Sequence, residues 1–66
     1  MKLDDFFSMT DEDFYVDVYA RDGATHILSG QITSKGMKFV KNKEMDGFNI
    51  DWINDRIHIF LKEEAE

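Results

Sequence analysis

On either side of Asn54-Asp55, the stretch FNIDWINDRIHIF (residues 48–60) alternates apolar and polar side chains with a period of two. That pattern predicts a β-hairpin, because successive side chains of a strand point to opposite faces. With Asn54 and Asp55 as a two-residue turn, Trp52 faces Ile57, Ile50 faces Ile59 and Phe48 faces Leu61, so six large apolar side chains share one face. The other face is mixed, with Ile53 against Arg56, Asp51 against His58 and Asn49 against Phe60. Asn and Asp both tolerate the positive φ that tight hairpin turns need. A one-residue slip would turn one strand's apolar set outward, which favours this register. A two-stranded ribbon is marginal in water, so the apolar face has to meet a second layer and reads as core.

FYVDVYARDGATHILSGQI (residues 14–32) predicts a second hairpin, closed by the strong turn signal Asp22-Gly23. In that register Phe14, Val16, Val18 and Ala20 share a face with Thr25, Ile27 and Ser29, and Tyr19 faces His26. Gly30, inside the second strand, predicts a bulge or bend that lets the strand change sheets. TSKGMKFV predicts a turn at Gly36 and a third strand over residues 37–41, and KNKEMDG reads as a loop. Leu3, Phe6 and Phe7 fit one turn of helix covering an open end of the sheet.

The expected fold is therefore mainly β: about five short antiparallel strands forming a strongly bent sheet or small barrel, with a short N-terminal helix or arm. Residues 1–66 read as a single domain, with the helix or arm over 1–12, the β core over 13–61 and an acidic tail over 62–66. A terminal helix, a hairpin closed by Asp22-Gly23, Gly30 in strand two and five strands together resemble the Sm-like and SH3-like small barrels. The Sm-type pattern sets its two glycines closer together than Gly23 and Gly30, and its third-strand motif is absent. The resemblance implies an architecture and carries no functional residues across.

Sixty-six residues allow one small core near the lower limit for folding without staples, and a homodimer would relieve that limit. With no cysteine, disulfides and thiolate metal sites are excluded. The start MKLDDFFSM has acids where a signal peptide needs an apolar run, and no stretch reaches the roughly 18 apolar residues of a membrane span. The expected location is cytoplasmic, away from membranes.

Charge is segregated. Residues 1–22 carry seven acids and two bases, residues 23–43 four lysines and no acid, and residues 44–66 seven acids and two bases, within a net charge of −6. Such a chain as a whole is unsuited to a polyphosphate backbone.

No catalytic, cofactor-binding or metal site is expected. His58 beside Asp51 is a surface pair without an activated serine or cysteine, since Ser8, Ser29 and Ser34 lie in no nucleophile motif. His26 and His58 lack ligand-type spacing. Three surfaces remain. The favoured one is acidic, with Asp4, Asp5, Asp11, Glu12, Asp13 and Asp17 presenting carboxylates to a basic surface on another protein, for instance one that handles nucleic acid. This profile fits a non-enzymatic inhibitor or modulator of phage or mobile-element type. The second is the strand bearing Lys35, Lys38, Lys41 and Lys43 with Phe39, which could grip phosphates and stack a base; direct nucleic-acid binding is the less favoured reading because edge strands often carry lysine. The third is the mixed face of the last hairpin, Asp51, Arg56, His58 and Phe60. A small-ligand site where Tyr15, Tyr19 and Phe60 converge at a dimer interface is a further alternative.

Overall fold

The structure is a computed structural model and describes residues 1–10 and 14–63. Its elements are α1 (Leu3–Ser8), β1 (Tyr15–Tyr19), β2 (His26–Gln31), a 3-10 helix (Lys35–Phe39), β3 (Met45–Asp51) and β4 (Arg56–Leu61). The four strands form one mixed sheet in the order β2-β1-β4-β3. Both expected hairpins are present, β1 with β2 and β3 with β4, and parallel pairing of β1 with β4 joins them side by side. Among the described residues, the expectation of about five antiparallel strands closing toward a small barrel gives way to one mixed, four-stranded sheet that is not closed into a barrel. The Sm-like and SH3-like likeness falls with it.

The missing strand is the 3-10 helix. Met37 and Val40 are both buried, whereas Phe39 stands 81 % exposed. Positions three apart eclipse on a 3-10 helix, so one turn delivers both residues to the core, where a strand would have paired Met37 with Phe39. The predicted loop KNKEMDG shortens accordingly, and Met45 opens β3 as a buried residue.

In the last hairpin Asp51 pairs with Arg56, Ile50 with Ile57, Asn49 with His58 and Phe48 with Ile59, so the predicted register is displaced by two residues. Asp51 is the cause. Its Oδ1 accepts the N–H groups of Ile53 and Asn54, each at 3.1 Å, and its Oδ2 accepts Asn54 Nδ2 at 2.8 Å. This Asx-type capping closes a four-residue loop over 52–55, with Asp55 in the left-handed region at φ 56°. An even slip preserves the faces. Ile57, Ile59 and Leu61 are buried as expected, but Phe48 and Ile50 stay 48 % and 43 % exposed and Trp52 leaves the sheet.

The first hairpin is turned in the same way: Asp22 Oδ1 accepts the N–H groups of Ala24 and Thr25, each at 2.9 Å, and Gly23 takes φ 71°. Tyr19 pairs with His26 as expected. A bulge then shifts the ladder, so Val18 meets Leu28 and Asp17 meets Ser29. Ile27 is the extra residue and is partly exposed, while Leu28 packs against the core. Gly30 pairs regularly with Val16 and marks neither a bulge nor a change of sheet. Its reason is proximity: a Cβ there would lie 2.9 Å from Ser34 Oγ, at the start of the 3-10 helix.

One face of the sheet, with Val16, Val18, Ile57, Ile59 and Leu61, packs under Leu3, Phe6, Met37 and Val40. Six-residue α1 would not persist alone. Burying Leu3 and Phe6 contributes about 1.5–3 kcal/mol each. The N–H groups of Leu3 and Asp4 donate to the carbonyls of Lys43 and Lys41 at 3.0 and 2.8 Å, which satisfies two of the helix's open donors. Among the described residues no helix is long and apolar enough to cross a membrane.

Candidate interaction surfaces

The opposite face of the sheet carries a polar network built on Asp17, at the centre of β1. Parallel pairing places His58 beside it and Arg56 beside Tyr15. The bulge in β2 brings Ser29 to its other side. Asp17 Oδ1 accepts from Ser29 Oγ at 2.5 Å, and Oδ2 accepts from an Arg56 guanidinium nitrogen at 3.0 Å with His58 Nδ1 at 3.5 Å. His58 Nε2 lies 3.3 Å from Asp51 Oδ2, so the imidazole stands between two carboxylates. Aromatic rings frame the network. The Arg56 guanidinium sits 4.4 Å from the Tyr15 ring centroid, and Tyr19 stacks on Phe60 at 5.8 Å.

This grouping holds a serine, histidines and an aspartate in contact, but in the wrong order for nucleophilic catalysis. Ser29 Oγ lies between Asp17 Oδ1 and His26 Nε2, each 2.5 Å away. A carboxylate can only accept, so the single hydroxyl proton goes to Asp17 and His26 donates to Ser29. A catalytic histidine would have to take the serine's proton, with the carboxylate behind it. The hairpins do bring the two histidines onto one face, with the Tyr19 ring 5.5 Å from His26 and 5.8 Å from His58. Among the described residues no group of three or more His, Asp or Glu side chains is placed to hold a metal ion. The network is a structural tie between the two hairpins.

Of the acidic candidates, Asp4 and Asp5 are exposed in the first turn of α1, where they oppose the helix dipole favourably. Asp17 is corrected from surface to interior: it is buried and committed to Ser29 and Arg56. Asp11, Glu12 and Asp13 lie outside the described residues. Among the lysines, Lys35, Lys38 and Lys41 are exposed around the 3-10 helix, while Lys43 pairs with Glu63 at 2.7 Å. Lys38 and Lys41 line an open depression of about 220 Å³ with Asp4, Phe7, Ile32 and Met37. In the third set, Asp51, Arg56, His58 and Phe60 do come together, but they are spent on one another and on Asp17 and Tyr19. Asp51 is held at a pKa of about 2, chiefly by Asn54 through its side chain and backbone N–H, and then by His58.

Sequence reasoning missed the most exposed surface. Trp52 and Ile53 stand 82 % and 94 % exposed at the tip of the β3–β4 loop, with Ile50 and Phe48 leading up to them along β3. A signal was present: Asp51 followed by Asn54 is a side-chain-capped turn, and adjacent residues cannot both reach the core face of a strand. No known family model, curated protein or solved structure matches this chain.

Proposed function

We propose that this chain is a small, acidic, non-enzymatic interaction protein that binds another protein and blocks or modulates it. The observation that supports this reading is the Trp52-Ile53 tip, presented almost fully to solvent on a loop pinned by three hydrogen bonds donated to the Asp51 carboxylate. Large apolar side chains held rigidly at a tip are the usual anchors of protein interfaces, because little entropy is lost when they dock. Asp51 and Asp55 beside the tip, within a net charge of −6, favour a partner whose apolar cleft has a basic rim. Nucleic-acid-handling proteins offer such clefts, and an inhibitor of phage or mobile-element type fits this mode of action.

The test is affinity capture from lysate with wild type, Trp52→Ala and an Asp4→Lys, Asp5→Lys variant, washed at rising salt. One stoichiometric protein retained by wild type and lost with Trp52→Ala supports the reading. Capture indifferent to Trp52 and to salt overturns it.

A second reading rests on Phe39, 81 % exposed amid Lys35, Lys38 and Lys41. A ring flanked by cations can stack a base while the lysines meet phosphates. Nuclease-sensitive capture abolished by Lys35→Glu, Lys38→Glu and Lys41→Glu would favour it over the first.

A further inference from the structure

We propose that the open edge of β3 pairs with β3 of a second copy, joining two sheets across a two-fold axis. The two edges of the sheet are unlike. Strand β2 is interrupted by its bulge, a common device for blunting an edge. Strand β3 is not blunted over residues 47–51, GFNID, which hold no lysine, arginine or proline. Its irregularity lies earlier, between Met45 and Gly47. That same edge already accepts pairing where the chain reaches it. Lys2 bridges Glu44, and the Met45 N–H donates to the Met1 carbonyl at 2.9 Å. Beyond Met45 nothing among the described strands covers it.

The residues on this edge are self-complementary. A two-fold antiparallel pairing centred on Asn49 sets Phe48 against Ile50 of the second copy, and the reverse, so four half-exposed apolar side chains meet on one face. It sets Asp51 against Gly47 and leaves Asp46 beyond the paired segment, so no carboxylate faces another. The N-terminal bridge at Glu44 also stays clear of the centre. Because each copy carries −6, the pairing strengthens as salt screens the general repulsion, whereas capture of a basic partner weakens. The two proposals therefore fail separately.

The test uses Asn49, which lies opposite itself at the axis and is exposed. Equilibrium sedimentation should give twice the 7.8 kDa chain mass at high concentration, with the dimer favoured by added salt. Asn49→Asp puts two carboxylates about 5 Å apart across the axis and raises the dimer dissociation constant about fourfold at low salt; within one copy the new acid faces His58, so the fold is kept. Since the chain has no cysteine, Asn49→Cys should crosslink to itself under mild oxidation, its Cα atoms lying within the disulfide range of about 4.4–6.8 Å. A monomer mass at every concentration, or Asn49→Cys crosslinking no faster than an exposed Asn42→Cys control, overturns the proposal.

Discussion

Replacing Asp17 by alanine tests the physical account of how the two hairpins are tied. The carboxylate accepts from Arg56 and from Ser29, and only about 5 % of its side chain is exposed. Both hydrogen bonds are to a charged carboxylate and contribute about 1.5–3 kcal/mol each, which together give about 3–6. The Arg56 side chain is 36 % exposed and can recover part of its hydration, which lowers the loss to about 2–3 kcal/mol. Its Nε works in the other direction: it is buried without a hydrogen-bond partner among the described residues, so the guanidinium is already under-satisfied before Asp17 is removed. A 66-residue chain has about 3–10 kcal/mol of total stability. Asp17→Ala should therefore lower Tm by about 10–20 °C, taking about 4–8 °C per kcal/mol for a domain of this size. Far-UV circular dichroism under heat and urea is the assay, with Arg56→Met and the double variant closing a cycle. A loss under about 1 kcal/mol, or no coupling between Asp17 and Arg56, would refute the reasoning.

Three further outcomes follow from named contacts. Trp52 emission should be as red-shifted and as readily quenched by iodide in the native state as in urea, and Trp52→Ala should change stability by less than about 0.5 kcal/mol; a blue-shifted native spectrum would place the ring in a packed environment and contradict the tip geometry. Asp51 has a folded pKa of about 2 against an ordinary 3.8, so its contribution to stability is complete above about pH 4 and is lost as pH falls through 2. Carbon-13 titration of its carboxyl should show that midpoint, and Asp51→Asn should flatten stability between pH 4 and 2; a midpoint near 4 would mean the loop is not capped as described. Gly30→Ala brings a Cβ to within 2.9 Å of Ser34 Oγ and should cost about 1 kcal/mol, recovered in part by Ser34→Gly; an alanine variant as stable as the parent in urea unfolding would show that Ser34 turns its hydroxyl aside at no cost and that proximity is not what requires glycine there.

Both hairpins and the burial of alternate residues along β1 and β4 were legible in the sequence, because strand alternation is local; the register of the last hairpin and the facing of β2 were not, because a side-chain cap and a bulge reset them. Val16, Val18, Ile57, Ile59 and Leu61 are buried as the period of two predicts. The N-terminal segment was legible only as a helix or an arm; the structure makes it the helix α1, with Leu3 and Phe6, three residues apart, both buried. Residues 37–41 were misread although the signal was there, since Met37 and Val40 fit a period of three while Met37 and Phe39 fit a period of two. Only packing against the sheet chose between them.

Two features were decided by tertiary structure alone. The parallel pairing of β1 with β4 joins strands far apart in the chain, and no local pattern encodes which strand of one hairpin meets which strand of the other. The bulge at Ile27 moves Ser29 onto the face of Asp17, so the polar network exists only once both the bulge and the parallel pair are formed. Local periodicity fixes which way a side chain points relative to its neighbours, while contacts between distant segments depend on the sum of many weak burial and pairing energies. The alternation around Asn54-Asp55 thus determined a hairpin with one apolar face, and the assembled sheet determined that Asp51 would close its loop early and leave Trp52 and Ile53 in the solvent.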